Sequence, residues 1–275
     1  MISILTLAIA LSVLVKSSFS NKTEEKWRSN LGIIHGVPAL DGEYPSIVSI
    51  QENGFHLCGG NIINEFTILT AAHCTIDKNT DLWDAVAGTT NIEKPGPHEQ
   101  KSKIISVIVH PKFEIHSSLF DIAIARVSTG FVFNPFVNQI NLHSSSDTPE
   151  KADIVGWGAT TESGPTSSVL LKTTIAVETK EECIEEFGEE IEFGLICAKT
   201  NHGDACLGDS GGPMVCNFNE LCGIISSGDG CGHENYSALY TEVSYFVEWI
   251  EGLLSEETLL EFTSSENYIN NSSPV

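Results

Sequence analysis

The middle of the chain is written in short apolar runs, SIVSI, NIINEFTILTAA, KIISVIV, DIAIARV, ADIVGWG and CGIISS, each bounded by Gly, Pro, Asn or Asp. Runs of this length, separated by turn residues, predict many short strands and restrict the chain to a β-barrel or β-sandwich architecture. One segment breaks the pattern. Val243 to Leu254 places Phe246, Val247, Ile250, Leu253 and Leu254 at helical spacing, which predicts a terminal helix packed on the body. A chain of 275 residues has room for one large β domain or two small ones. No internal repeat stands out.

Residues 1–20 begin with an almost wholly apolar stretch, MISILTLAIALSVLV, and end in Ser18-Phe19-Ser20, a small-x-small cleavage pattern. This reads as a signal peptide, because the apolar stretch is short for a membrane span; an uncleaved anchor is the weaker alternative. Export to an oxidising compartment makes the eight cysteines four disulfides rather than a metal site. The 37 Asp and Glu against 14 Lys and Arg give a formal net charge of −23. A surface of that sign repels nucleic acid and anionic membranes. Much of the excess lies in ETKEECIEEFGEEIE (178–192) and in the acidic tail, 255–275, which is expected to be flexible. The acidic segment reads as a solvated face, or as a field that draws in basic substrates.

Gly208-Asp209-Ser210-Gly211-Gly212-Pro213 places a serine between glycines, so its turn can aim backbone N–H groups at a developing oxyanion. Thr70-Ala71-Ala72-His73-Cys74 offers a histidine beside a cysteine, and Asp121 opens DIAIARV, where a first strand residue can direct its carboxylate at an imidazole. Taken singly, the histidine and the glycine-rich turn remain open between structural and chemical roles.

Together and in this order, TAAHC, DIAIA and GDSGGP resemble the chymotrypsin/trypsin family of serine proteases, over about Ile33 to Leu254. The resemblance implies two antiparallel six-stranded β-barrels, roughly Ile33 to Ser144 and Ser145 to Tyr245, with the active site between them and a C-terminal helix. It implies Ser210 as nucleophile, His73 as general base and acid, and Asp121 as the carboxylate that orients the imidazole. Gly208 and Ser210 would supply the oxyanion hole. No cofactor and no metal are implied, and Thr89 and Gly96 fall where relatives place calcium-binding carboxylates.

The same resemblance pairs Cys58 with Cys74, Cys183 with Cys197, and Cys206 with Cys231. Cys216 and Cys222 remain, and Ala152 stands near the position where relatives carry the partner of Cys216; a local Cys216–Cys222 bridge is therefore expected. Asp204 matches the pocket-floor aspartate that selects Lys or Arg, with Ser226, Gly228 and Ala238 on the pocket walls. Two residues depart from the pattern: Ser227 replaces an aromatic platform, and Ala238 replaces a glycine. An inactive or weakly active homologue acting as a binding protein is the rival reading.

Ile33-Ile34-His35-Gly36 resembles the start of mature family members, whose freed ammonium pairs with a carboxylate, here Asp209. That makes 21–32 an activation segment and 33–254 the protease domain. Gly32 before the cut excludes trypsin-like activation, whereas Leu31 suits a papain-like cysteine protease; cutting at Arg28 would leave Ser29 first. The expected product is a secreted, monomeric endopeptidase acting on Arg- and Lys-containing proteins, open to protein inhibitors, with sequons at Asn21, Asn235, Asn270 and Asn271.

Overall fold

The computed structural model describes residues 33–76, 79–199, 203–217, 219–233 and 236–255. The expected leader, activation segment, and acidic tail beyond residue 255 lie outside the described residues, as do the asparagines of all four sequons.

Two closed antiparallel barrels account for most of the strands. The first contains β2 (Ile47–Glu52), β3 (Phe55–Asn64), β4 (Thr67–Thr70), β5 (Trp83–Ala87), β6 (Gln100–Val109) and β7 (Ala123–Val127), closed in the order β2-β3-β4-β7-β6-β5. The second contains β9 (Lys151–Gly156), β10 (Leu171–Val177), β11 (Leu195–Lys199), β12 (Pro213–Cys216), β13 (Glu220–Ser227) and β14 (Ser237–Glu242), and β9 closes it by pairing with both β10 and β12. Their order, β9-β10-β11-β14-β13-β12, repeats the connectivity of the first barrel. The sequence hides this repeat because a barrel interior asks only for apolar residues of suitable volume, which many sequences supply.

The expected division at Ser144 needs correction at two places. The two-residue strand β1 (Val37–Pro38) pairs with β10, and β8 (Asn141–Leu142) runs parallel to β13, so both ends of the first segment belong to the second sheet. Ile33, fully buried, packs with Ile154, Leu171 and Met214 of the second barrel. The run NIINEFTILTAA is likewise two strands. Asn64 ends the first, its Oδ1 accepting from the Phe66 N–H at 2.9 Å in an Asx turn, and β4 folds back on β3.

Helix α1 (Lys180–Phe187) occupies the segment read as an acidic face. Thr179 caps it, with its Oγ1 accepting from the Glu182 N–H while the Glu182 side chain accepts from the Thr179 N–H. This reciprocal pair satisfies two otherwise orphaned donors. Gly188, at φ +89°, ends the helix in a conformation that suits glycine. The terminal helix α2 spans 243–255. Its Val243, Phe246 and Ile250 are buried and join the core cluster of the first barrel, although α2 follows the second in sequence. Among the described residues, no helix is long and apolar enough to cross a membrane.

All eight cysteines are paired: Cys58–Cys74, Cys183–Cys197, Cys206–Cys231 and Cys216–Cys222. The last closes a loop across the β12–β13 hairpin, with a sequence separation of 6. Closing so short a loop removes less unfolded-chain entropy than a long-range link.

Candidate active site

Each barrel delivers one side of the cleft. His73 lies in a short 3-10 turn, Ala72–Thr75, that follows β4, and Asp121 stands two residues before β7. The sequence suggested Asp121 as the first strand residue; instead it occupies the approach to the strand, two residues before the ladder begins. Ser210 lies on the turn that precedes β12 in the second barrel.

Asp121 is 1% exposed, and its carboxylate accepts three contacts. Oδ1 accepts from the His73 backbone N–H at 2.8 Å, and Oδ2 from His73 Nδ1 at 2.7 Å and from the Ser226 hydroxyl at 2.5 Å. Its own carbonyl accepts from the Thr241 hydroxyl at 2.7 Å. A carboxylate on Nδ1 fixes the proton there and leaves Nε2 with its lone pair. His73 and Ser210 line one cleft of about 280 Å³. Ser226 was expected as a pocket wall. Its grip on Asp121 went unread because the two residues are 105 positions apart and neither segment names the other.

Around Ser210 the backbone is fixed by other means. Gly208 has φ +99°, and an added Cβ would lie 3.1 Å from Thr166 Cγ2 and 3.2 Å from Gly158 Cα, so a side chain is excluded on both counts. Neither the Gly208 N–H nor the Ser210 N–H has a hydrogen-bond partner among the described residues, leaving both donors available. His56, which the sequence reading overlooked, accepts from the Ser49 hydroxyl at Nδ1 and donates from Nε2 to the Gly208 carbonyl, each at 2.8 Å. Burial pushes its pKa down to about 4, outweighing the Gly208 carbonyl, so the ring is neutral near neutral pH.

The cleft deepens to Asp204, which is 4% exposed. Oδ2 accepts from the Gly232 N–H at 2.7 Å, while Oδ1 is buried without a hydrogen-bond partner among the described residues. Burial raises the Asp204 pKa to about 6 against the lowering effect of the Gly232 and Ala205 backbone N–H groups. Gly228 and Ala238 lie side by side in the cleft lining: a Cβ built on Gly228 would lie 3.7 Å from the Ala238 Cβ. Ser226 and Ser227 line the same space.

Asp209 is fully buried, with Oδ1 accepting from Gly158 N–H at 2.7 Å and Oδ2 from Cys206 N–H at 3.0 Å. Burial pushes it up to about 7, against these two donors and with the Asp204 charge adding to the rise. No cation pairs with it among the described residues, and Ile33, although buried, makes no hydrogen bond to its carboxylate. Ile34 exchanges backbone hydrogen bonds with Asp204, at 2.9 and 3.2 Å, so the first described residues are attached directly to the pocket floor.

The arrangement therefore holds a hydroxyl, an imidazole oriented by a carboxylate, two free N–H donors, and a deep cleft ending in a carboxylate. Such a set can attack a carbonyl, shuttle the proton and stabilise the oxyanion. The family model described as Trypsin matches residues 33–250. Trypsin-1 of Astacus astacus is 36% identical over 233 residues, an alignment that covers 80% of this chain and 98% of that protein.

Proposed function

Because this chain belongs to the trypsin family of serine proteases and is a serine endopeptidase, we propose that it is a secreted enzyme, made as a zymogen, that cleaves after Arg and Lys. Ser210 attacks the scissile carbonyl while His73 takes its proton, and Asp121 stabilises the imidazolium. The Gly208 and Ser210 N–H groups receive the oxyanion. His73 then protonates the leaving amine, the new peptide departs, and water resolves the acyl-enzyme by the same route in reverse.

The preference for a cationic side chain rests on one observation, the buried Asp204 Oδ1, which has no hydrogen-bond partner among the described residues, in the cleft that Ser210 also lines. A guanidinium or ammonium entering the cleft meets an acceptor that is otherwise unsatisfied. The zymogen reading is supported by Asp209, whose buried carboxylate has no cation partner among the described residues. Cutting after Gly32 gives Ile33 an ammonium, which would supply that cation and order the turn bearing Gly208. With Leu31 one place further back, a papain-like protease is the proposed activator.

Cleavage of matched peptides carrying Arg, Lys, Leu or Glu before the scissile bond tests this reading in protein beginning at Ile33. Arg and Lys peptides are expected to be cleaved at least about 100-fold faster than Leu peptides, and Asp204→Ser should abolish the difference. Equal rates for all four peptides would overturn the specificity.

A further inference from the structure

Phe120, immediately before Asp121, has φ +55°, a left-handed conformation that a bulky residue adopts only under constraint. The constraint is visible in its ring. His110 lies nearly parallel to it, with centroids 5.0 Å apart and an interplanar angle of 10°, while Phe246 and Tyr245 of α2 meet it edge-on at 6.0 and 6.3 Å. His110 is itself held by Phe246 at 5.4 Å and Trp249 at 4.9 Å, and Lys112 Nζ lies 5.5 Å from the Phe120 centroid. The backbone is tied as well: the Ile122 N–H donates to the Phe120 carbonyl at 2.8 Å, and the His110 N–H donates to the Ile122 carbonyl at 3.1 Å.

These contacts fix the chain on both sides of Asp121. Rotation about the Phe120 backbone would swing the next Cα–Cβ bond and with it the carboxylate, which reaches the His73 ring and backbone together only in this orientation. We propose that Phe120 is a positioning residue: its ring, clamped between His110 and the terminal helix, holds the left-handed backbone that aims Asp121 at His73. This rests on the reading of Asp121 as the carboxylate of the triad.

The test uses protein beginning at Ile33 with Phe120 changed to Tyr, Gly, Ala or Val, beside Asp121→Asn. Tyr restores the ring and should keep kcat within about twofold. Gly loses the clamp but tolerates the conformation, Ala opposes it, and a β-branched Val opposes it most. The expected falls in kcat are about 3-, 10- and 30-fold in that order, with KM within about twofold. Weaker carboxylate support should also move the acid limb of kcat/KM, which reports the imidazole, to lower pH. His110, Lys112 and Tyr245, the titratable groups facing Phe120, and Ser226, which faces Asp121, are left unchanged. Undiminished kcat, or a fall that follows melting temperature with an unmoved acid limb, would reduce Phe120 to packing and overturn the proposal. Full activity in Asp121→Asn would instead defeat the triad reading itself.

Discussion

Ala238 adds a methyl group beside Gly228, in a cleft that, on the proposed specificity, admits a long cationic side chain to reach Asp204. An extra methyl against a filled pocket costs about 1 to 3 kcal/mol when the walls cannot yield. Ala238→Gly is therefore expected to raise kcat/KM on Arg and Lys esters by about tenfold, read from initial rates under subsaturating substrate; an unchanged value would mean that neighbouring strands already absorb the methyl. The proposed triad residues could be picked out in the sequence because each stands inside its own local motif. Ser226 and His56 were not, since what they do is set by Asp121 and Gly208, partners distant in sequence and brought together only by barrel closure.

Helix α1 shows how an element can be present in sequence and still pass unread. Its Thr179-Lys180-Glu181-Glu182 start carries the capping pattern, yet the surrounding run of glutamates suggests a solvated coil. Glu181 and Glu182 in the first turn also favour the positive end of the helix dipole. Thr179→Ala removes an exposed cap and should cost about 1 kcal/mol, measured as a lower urea midpoint with unchanged slope. No loss of stability would show that the Cys183–Cys197 bridge and Lys180, whose Nζ donates to the Ile191 and Leu195 carbonyls and to Glu242 at 2.9 to 3.0 Å, secure this helix without the cap. The strand runs were legible from their length and turn residues. Their division was less so: the turn at Glu65 lies within an unbroken β-like run and depends on the Asn64 side chain.

For the whole molecule, the uncut chain carries two buried carboxylates with raised pKa values, Asp209 at about 7 and Asp204 at about 6. An unfolded chain gives up these protons near pH 4 and the folded chain later, so their contribution to stability is full below pH 4 and is lost as pH rises towards 7. Other carboxylates, among them Asp84 and Glu186, are lowered by lysine partners and act in the opposite sense. The informative quantity is therefore a difference. Asp209→Asn should gain stability relative to the uncut parent as pH rises from 4 to 7.5, and protein beginning at Ile33 should show a smaller gain, because its ammonium already offsets the charge. Urea midpoints at four pH values would decide; a gain that is the same in both forms would mean that Ile33 and Asp209 do not pair. Two-barrel architecture was readable only through the resemblance, since the repeated strand order has no counterpart in repeated residues.

The central claim is that Ser210 forms an acyl-enzyme once Ile33 is the first residue. The most direct measurement is rapid-mixing hydrolysis of an Arg ester by protein with a verified Ile33 terminus, beside Ser210→Ala. The account predicts a burst of leaving group close to one equivalent per enzyme, absent from the Ser210→Ala protein and from the uncut chain. No burst from the verified protein, or a burst that survives Ser210→Ala, would contradict it.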